Sequence, residues 1–430
     1  MTEFHISATN VPLRGTLRVP ADKSISHRAA ILAALAEGDT RIENFLPSET
    51  TRATLHCLRA LGADIESVEP TTLVVHGRGV HSLREPSDVL FCAGSGTTMR
   101  LLAGVCAGQN FLSILDGTPA LKRRPMARIA EPLRAMGATI LARAEGRLPP
   151  LAVRGAPPLR GIDYTLPVAS AQVKSAILLA GLFADSPTIV REPSASRDHT
   201  ERMLRALGVQ TSVGDSRAVC VHPISKLQAP SSIAIPSDFS SAAFLIVAAT
   251  LVTRSDIQIA GVGVNATRTG LLDALGRMGA QIEIENAREE SGEPVADLSV
   301  RSAELRATQV SGGEVPRMID EFPILAVAAT QARGETIVRD ASELRVKESD
   351  RIAALVQELR KMGAQIGERV DGFVIAGPTP LRGARVDAHA DHRLAMSLAV
   401  AGLIARGETV IDGWECVADS FPDFGETLCA

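Results

Sequence analysis

The residues best suited to chemistry lie in short basic, hydroxyl-bearing motifs at the starts of apolar segments. The first motif, ADKSISHR at positions 21–28, places Lys23, Ser24 and Arg28 at the beginning of an apolar run. Small hydroxyl residues often cap the free N–H groups of a helix, so an ordinary N-cap with a solvated basic turn is one interpretation. Because a helix N-terminus carries about half a positive charge, the added Lys and Arg also favour an anion-binding site.

Five other motifs occupy the same place in an internal repeat. They are AGSGTTMR (93–100), VASAQVKS (168–175), PSDFSSAA (236–243), PRMIDEFP (316–323) and HADHRLAM (389–396). A second helical segment follows five of the six motifs and ends in a sequence similar to LRALGA. The glycines of these endings are Gly62, Gly137, Gly208, Gly279 and Gly363. Glycine at this place predicts a left-handed residue that ends the helix.

The repeat predicts an α/β protein with two domains of three units each. Two β-like segments follow each of these glycines, so the unit is α-β-α-β-β, and the boundary between domains falls near Ser237. The first helix of each unit is apolar almost all round, which predicts buried helices with sheets packed outside them. These helices are predicted at 25–35, 98–107, 173–183, 241–252, 322–332 and 394–405. The sixth copy lacks its hairpin, for which the N-terminal segment 4–20 is the candidate.

A pseudo-threefold arrangement of the repeats predicts that the helix starts of each domain converge and that the two sets face one cleft. Lys174 and the basic loops LKRRPMAR (121–128) and ELRVKESDR (343–351) add further positive charge to this cleft. Such a site suits a substrate that carries phosphate and carboxylate groups. Two carboxylate segments stand out against this charge: Asp320-Glu321 at a helix start, and Glu348 between Lys347 and Arg351. For Asp320 and Glu348, general acid–base catalysis and charge balance for Arg and Lys are both open interpretations.

Composition excludes several other classes of function. The 430 residues carry a net charge of −4 and only 3% aromatic residues, which argues against nucleic-acid binding and a basic membrane surface. No apolar run is long enough to span a bilayer, no secretory signal is apparent and the six cysteines form no CxxC pair, so we expect a cytoplasmic protein. GVGVNA (261–266) fits a dinucleotide-binding pattern and DAHADH (387–392) resembles a metal cluster, but their places in the repeat favour a turn and a helix start.

Several long motifs resemble the 5-enolpyruvylshikimate-3-phosphate (EPSP) synthase family, and in particular its branch often called class II. The motifs are DKSISHRAAILAALAEG, GSGTTMRLLAG, LKRRPMARIAEPLRAMGA, PVASAQVKSAILLAGL, IDEFPILAVAA, ELRVKESDRI and DHRLAMSLAV, in order between about Leu17 and Phe424. The resemblance implies an inside-out α/β barrel in which each domain holds three βαβαββ units around buried helices. It implies a first domain at 21–237 and a second at 1–20 plus 238–430, with the active site in the interdomain cleft.

The resemblance implies transfer of the enolpyruvyl group of phosphoenolpyruvate (PEP) to the 5-hydroxyl of shikimate 3-phosphate, with release of phosphate. It implies no metal or organic cofactor, and we expect a monomer. The family is a target of glyphosate, and the sequence leaves the sensitivity of this chain open. The residues implied for shikimate 3-phosphate are Lys23, Ser24, Arg28, Ser170, Gln172, Asp320 and Lys347. Those implied for PEP are Lys23, Gly96, Arg124, Gln172, Arg351 and Arg393. Asp320 would accept the hydroxyl proton, and Glu348, together with Lys23, would handle the proton at the methylene carbon.

Some positions of the chain depart from the usual pattern of the family. Gly94 stands where Asn is frequent, Ala171 replaces a second Ser, and Arg197 or His199 would take the place of a Tyr found in another branch.

Two other functions are alternatives to this one. The related UDP-N-acetylglucosamine enolpyruvyl transferase uses a Cys in a loop that corresponds here to LDGTPALKRRPM, which has none. A non-catalytic anion-binding scaffold is the other alternative, and the presence of Asp320 and Glu348 argues against it.

Overall fold

The chain divides into two compact units in a computed structural model that describes residues 2–9, 11–214 and 217–429. The first unit is Ala21–Ile235 together with Glu289–Glu293, and the second is Met1–Pro20, Pro236–Arg288 and Pro294–Ala430. The short segment 289–293 belongs with the first unit because its side chains and backbone bond there. The Ser291 hydroxyl, for example, accepts a hydrogen bond from the backbone N–H of Ala234 at 3.0 Å.

Helices begin at or within two residues of the predicted starts in every repeat, so the helix predictions are confirmed. The α-helices are α1 (Lys23–Leu35), α2 (Glu49–Ala60), α3 (Gly96–Ala107), α4 (Ala127–Ala135), α5 (Arg143–Gly146), α6 (Ala171–Gly181), α7 (His199–Ala206), α8 (Phe239–Leu251), α9 (Gly270–Met278), α10 (Phe322–Gln331), α11 (Arg351–Lys361), α12 (His392–Ile404) and α13 (Phe424–Cys429). Short 3-10 helices lie at Leu121–Arg123, Gly312–Met318, Ser342–Val346 and Trp414–Asp419.

The predicted glycine helix ends are confirmed by their backbone angles. The φ values are +90° at Gly62, +108° at Gly137, +78° at Gly208, +96° at Gly279 and +88° at Gly363. A side chain with a Cβ is strained in this left-handed region, which explains why the same residue recurs at the end of five helices.

Strands follow the helices as the repeat predicts. They are β1 (Glu3–Ser7), β2 (Arg14–Leu17), β3 (Glu37–Glu43), β4 (Asp64–Glu69), β5 (Thr72–Arg78), β6 (Leu90–Phe91), β7 (Leu112–Asp116), β8 (Thr139–Ala142), β9 (Leu148–Arg154), β10 (Asp163–Thr165), β11 (Thr188–Arg191), β12 (Thr211–Val213), β13 (Ala218–Val221), β14 (Ser232–Ala234), β15 (Asp256–Gly263), β16 (Gln281–Glu290), β17 (Glu293–Arg301), β18 (Gln309–Val310), β19 (Gly334–Val338), β20 (Gln365–Arg369), β21 (Gly372–Gly377), β22 (Arg385–Asp387) and β23 (Glu408–Asp412).

Within the described ranges these strands form six small sheets, three in each unit. In the first unit the strand orders are β14-β3-β5-β4, β6-β7-β9-β8 and β10-β11-β13-β12. In the second unit they are β16-β17-β15-β2, β18-β19-β21-β20 and β1-β23-β22. Each sheet contains one parallel pair, and in the first sheet of each unit the parallel partner comes from a distant part of the chain: β14 beside β3, and β2 beside β15.

The N-terminal segment does not form the hairpin that the sequence analysis expected. Strand β1 pairs antiparallel with β23, whereas β2 pairs parallel with β15 in a different sheet. The two strands therefore complete two sheets of the second unit, and the sixth sheet has three strands. Asn10, between them, lies outside the described residues.

The first helix of each repeat lies in the core, as predicted. All residues of α8 from Phe239 to Thr250 are buried, and α8, α10 and α12 pack against one another inside the second unit. In the first unit α3 packs against both α1 and α6. Gly104 makes the contact with α6 possible, since a Cβ built there would lie 2.2 Å from the backbone oxygen of Ala176. In the part of the chain that the structure describes, no helix has both the length and the hydropathy needed to cross a bilayer.

Candidate active site

A cationic group in the first unit surrounds the start of α3. A Cβ built on Gly96 would lie 2.7 Å from Nη1 of Arg100 and 3.2 Å from Nη1 of Arg124, so both guanidinium groups approach the glycine closely. The side chain of Gln172, at the start of α6, accepts a hydrogen bond from Arg100 and donates one to the Thr97 hydroxyl at 2.8 Å. The structure thus brings Gly96, Arg124 and Gln172 together, as a site for an anion requires.

The first two turns of α1 hold the three residues predicted from ADKSISHR. Asp22 caps the helix by accepting from the backbone N–H of Ile25 at 2.8 Å, and Lys23 and Ser24 are partly exposed. Arg28 is only 3% exposed and donates to the Thr200 hydroxyl, the Ser175 hydroxyl and the Ser24 carbonyl at 2.7–2.9 Å. Burial lowers the pKa of Arg28 to about 10. Arg28 therefore stabilises the start of α1 through hydrogen bonds to other groups of the protein.

Lys174 does not belong to an anion site, contrary to the sequence analysis. Its ammonium group lies 2.6 Å from a carboxylate oxygen of Glu192 and 2.7 Å from one of Glu201, and all three side chains are at most 4% exposed. Burial alone would lower the pKa of Lys174, but the two carboxylates raise it. Burial raises the pKa of the Glu201 carboxyl, because it disfavours the charged form. The charge at this helix start is thus matched internally, as a buried charge requires.

His199 is also buried. Its Nδ1 lies 2.8 Å from a carboxylate oxygen of Glu293, and both side chains are 2% exposed. The suggestion that His199 replaces the Tyr of another branch at the substrate therefore does not fit its position, since it lies beneath the surface of the first unit. Ser170, in contrast, is partly exposed at the N-cap of α6.

A buried arginine organises the carboxylates of the second unit. The guanidinium of Arg351 bonds to Asp391 at 2.7 Å, to Glu348 at 2.7 Å and to Asp320 at 3.1 Å. The side chain of Arg351 is 2% exposed, whereas those of Asp320 and Glu348 are 15% and 30% exposed. Burial would lower the pKa of Arg351, but the three carboxylates raise it overall, so the cation is permanent. Both predicted catalytic carboxylates are thereby held on one buried cation, while their side chains stay partly exposed.

Arg393 joins this cluster from the start of α12. Its guanidinium lies 3.4 Å from the second carboxylate oxygen of Asp320, and its backbone N–H donates to Asp391 at 3.0 Å. Lys347 is partly buried at the C-cap of the 3-10 helix Ser342–Val346, one residue before Glu348. The structure therefore gathers Asp320, Glu348, Arg351 and Arg393 in the second unit.

The helix starts carry less positive charge than the sequence analysis expected. Acidic residues stand at the N-cap of four of the six buried helices: Asp22, Asp238, Glu321 and Asp391. A carboxylate at this place offsets the helix dipole, and Asp22, Asp238 and Asp391 also accept hydrogen bonds from backbone N–H groups. The positive potential at these helix ends must therefore come mainly from Lys and Arg side chains.

Sequence reasoning missed two residues that complete these clusters. Asp391 lies in the helix-start motif HADHRLAM and in DAHADH, but no role was assigned to it, and Arg100 lay unassigned in AGSGTTMR. Their partners, Arg351 and Gln172, are 40 and 72 residues away along the chain. A helix-start position shared with the other repeats was the available signal.

The residues of DAHADH are held by hydrogen bonds and ion pairs. His389 lies 2.9 Å from a carboxylate oxygen of Glu358, and Asp391 is bonded to Arg351. Among the described residues, no group of three or more His, Cys, Asp or Glu side chains is arranged to hold a metal ion.

The fold of the chain is the two-domain α/β fold of solved enolpyruvyl transferases. A solved enolpyruvyl transferase, NikO from Streptomyces tendae, has the same fold with a TM-score of 0.80 at 20% identity, over 99% of this chain and 96% of NikO. EPSP synthase from Acinetobacter baumannii is more similar, with a TM-score of 0.88 and 44% identity over 99% of this chain and 97% of that one.

Sequence similarity shows the family to which the chain belongs. The family model described as EPSP synthase (3-phosphoshikimate 1-carboxyvinyltransferase) matches residues 8–428. Proteins named 3-phosphoshikimate 1-carboxyvinyltransferase from Desulforudis audaxviator and Desulforamulus reducens are 54% and 52% identical over 416 residues, covering 97% of this chain and 96% of each relative. The chain belongs to the EPSP synthase family, which confirms the resemblance, while its class II branch stays a prediction.

Proposed function

We propose that the chain transfers the enolpyruvyl group of PEP to the 5-hydroxyl of shikimate 3-phosphate and releases phosphate. Its relatives are named 3-phosphoshikimate 1-carboxyvinyltransferase, which supports this proposal. The observation that carries the proposal is the buried Arg351, which holds Asp320 and Glu348 within 3.1 Å and 2.7 Å of its nitrogens. A pair of fixed, partly exposed carboxylates beside several cations is what proton transfer between two anionic substrates needs.

In the addition step, the 5-hydroxyl oxygen bonds to C2 of PEP while Asp320 accepts the hydroxyl proton. The methylene carbon gains a proton from Glu348 or Lys23, and the product is a tetrahedral intermediate that carries both phosphate and carboxylate. In the elimination step the new methyl group loses a proton to the same side chain, the C–O bond to phosphate breaks, and the double bond forms again. The atoms balance without an oxidant or reductant.

The cations of each unit stabilise these charges. In this proposal Lys23, Ser24, Arg28, Ser170, Gln172, Asp320 and Lys347 serve shikimate 3-phosphate, and Lys23, Gly96, Arg124, Gln172, Arg351 and Arg393 serve PEP. Arg28 and Arg351 are buried and hydrogen-bonded within the protein. We therefore propose that they act mainly by orienting the residues to which they bond, such as Ser24 for Arg28 and the two carboxylates for Arg351. Fixed donors stabilise developing charge without reorganising, and holding two substrates together removes much of the entropic barrier, by several kcal/mol.

Phosphate release in the presence of both substrates tests the function. Release should require shikimate 3-phosphate and PEP together and should be absent when either is omitted. No release above background, although both substrates bind, would favour the non-catalytic scaffold, and release with UDP-N-acetylglucosamine in place of shikimate 3-phosphate would favour the related transferase. A cytoplasmic location, a monomeric state and the lack of a cofactor stay predictions.

A further inference from the structure

A chain of buried hydrogen bonds runs from α1 through α2 to the start of α3 within the first unit. His27 Nδ1 lies 2.7 Å from the Thr54 hydroxyl, which lies 2.7 Å from the Thr98 hydroxyl, which lies 2.7 Å from the Ser95 hydroxyl. The first three side chains are fully buried, and Ser95 is 4% exposed. Ser95 directly precedes Gly96, so the chain of hydrogen bonds ends one residue before the glycine that Arg100 and Arg124 approach.

The direction of these bonds depends on which nitrogen of His27 carries its proton. If the proton is on Nδ1, His27 donates to Thr54, Thr54 donates to Thr98, and Thr98 donates to Ser95. If it is on Nε2, Nδ1 is an acceptor and every bond reverses, so that the Ser95 proton points inward to Thr98. A hydroxyl has one proton and two lone pairs, which is why the direction propagates from one group to the next.

Burial of the other ring nitrogen favours the first arrangement. Nε2 of His27 is buried and has no hydrogen-bond partner among the described residues. A buried N–H without a partner is rarer in proteins than a buried acceptor without one, so Nε2 is better left as a bare lone pair. Burial, together with the charges of Lys23 and Arg28, lowers the pKa of His27 to about 3, so the ring is neutral at neutral pH.

The same arrangement leaves the Ser95 proton available. Oγ of Ser95 accepts from the backbone N–H of Thr98 at 3.0 Å and from the Thr98 hydroxyl at 2.7 Å, which occupies both of its lone pairs. The alternative acceptor for the Thr98 proton, the carbonyl of Thr50, is farther away at 3.3 Å. Within the described ranges the Ser95 proton has no protein acceptor, and an anion beside Gly96 would supply one.

We propose that His27 is a positioning residue which, through Thr54 and Thr98, directs the hydroxyl proton of Ser95 toward the phosphate or carboxylate of PEP bound beside Gly96. Ser95 is then a further binding residue for this anion, and the opposite tautomer would present it with a lone pair instead. The inference rests on the proposed function, because it takes the anion at Gly96 to be PEP.

Substitution of Thr54 by Val tests the chain without touching either end, because Val keeps the shape of Thr and removes the hydroxyl. We expect Thr54→Val and Ser95→Ala each to raise KM for PEP about tenfold and to change KM for shikimate 3-phosphate less than about twofold. His27→Asn can still donate from its amide and should retain near wild-type KM for PEP, whereas His27→Leu should behave like Thr54→Val.

Ser26→Ala is the matched control. Ser26 is fully buried on the same helix and bonds to the Asp22 carbonyl at 2.8 Å and the Leu46 N–H at 3.2 Å, outside the chain. If the effect of Thr54→Val is merely structural, Thr54→Val and Ser26→Ala should both lower stability, and each should change KM for PEP and KM for shikimate 3-phosphate alike. This result would overturn the proposal. An unchanged KM for PEP in Ser95→Ala would also overturn it.

Two measurements separate this inference from the proposed function, since neither needs turnover. Nitrogen-15 NMR of labelled histidine, assigned with His27→Asn, should show the proton on Nδ1 of His27, and a proton on Nε2 would overturn the proposal. Equilibrium dialysis with labelled PEP should show weaker binding to Thr54→Val than to wild type. If wild type releases no phosphate the proposed function fails, while these two results still decide the role of His27.

Discussion

Nε of Arg351 lies 2.7 Å from Oδ2 of Asp391, and the two side chains are 2% and 0% exposed. Asp391 also caps α12, where its other oxygen accepts from the backbone N–H of Arg393 at 3.0 Å. One buried carboxylate thus fixes two arginines that we assign to the substrate site, one through its guanidinium and the other through its backbone. The geometry of Asp320 and Glu348 depends on this pair, because both bond to the same guanidinium.

Replacing Asp391 with Asn should therefore damage both stability and activity. The amide keeps the shape of the side chain but leaves the buried Arg351 without its fully buried charge partner, which costs about 3 kcal/mol of the free energy of unfolding. We expect kcat/KM to fall at least about a hundredfold, since both carboxylates lose their fixed support. Denaturant unfolding and steady-state kinetics measure the two effects.

Asp350→Asn is the control for this prediction. Asp350 also caps a helix, bonding to the Ala353 N–H at 3.1 Å, and pairs with Arg345 at 2.9 Å, but its side chain is 40% exposed. Its loss should cost less than about 1 kcal/mol. Equal effects of the two substitutions would show that burial of the Arg351–Asp391 pair is unimportant.

Glu348→Gln should abolish most turnover with little loss of substrate binding. The amide cannot exchange a proton with the methylene carbon, so we expect kcat to fall about a thousandfold. Arg351 keeps Asp391 and Asp320, so dissociation constants should change less than about tenfold. Glu368→Gln, which alters an exposed pair with Arg345 at 2.9 Å, should leave kcat unchanged. Near-normal turnover in Glu348→Gln would show that the role is misassigned.

The sequence was sufficient to predict the repeats because their signals are local. Apolar periodicity defined the buried helices, and glycines such as Gly62 and Gly279 marked helix ends, since both depend on residues a few positions apart. The N-terminal strands were misplaced for the opposite reason. Partners of β1 and β2 lie at Glu408–Asp412 and Asp256–Gly263, and the choice between sheets depends on the packing of the whole unit.

The candidate site was predicted only in part, because a charged residue at a helix start does not reveal its partner. Lys23 is the first residue of α1 and Lys174 the fourth residue of α6, both near the start of a buried helix, yet the first is partly exposed and the second is buried between Glu192 and Glu201. Asp391 was missed for the same reason. Its role follows from Arg351, 40 residues earlier, and only the folded chain brings the two together.

Gly96→Ala should weaken PEP binding. The added methyl group would lie 2.7 Å from Nη1 of Arg100 and 3.2 Å from Nη1 of Arg124, so both flexible guanidinium groups must shift. We expect KM for PEP to rise about tenfold or more, with a smaller effect on KM for shikimate 3-phosphate. Gly94→Ala is the control, because the nearest atom to its Cβ is the Thr118 hydroxyl at 4.0 Å. An equal effect at both glycines would contradict the assignment of this group to PEP.

Gly104→Ala should destabilise the first unit through helix packing alone. Its methyl group would lie 2.2 Å from the backbone oxygen of Ala176, and backbone cannot move aside as a side chain can. We expect a loss of about 3 kcal/mol in the free energy of unfolding. Gly276→Ala, on the exposed face of α9 with nothing within 4 Å, should instead stabilise by about 0.5–1 kcal/mol. Urea denaturation of both variants checks the prediction, and similar changes would contradict the close contact of α3 and α6.

His27 should make stability depend on pH in a defined window. Burial and the charges of Lys23 and Arg28 lower its pKa from 6.5 to about 3, so between these values the unfolded chain binds a proton that the folded chain does not. The stability contributed by neutral His27 is therefore complete above about pH 6.5 and decreases as the pH falls toward 3. Between pH 7 and pH 5 wild type should lose about 2 kcal/mol more than His27→Asn, in which this titration is absent. Parallel stability curves for the two proteins would show that His27 is protonated as readily in the folded chain as in the unfolded one.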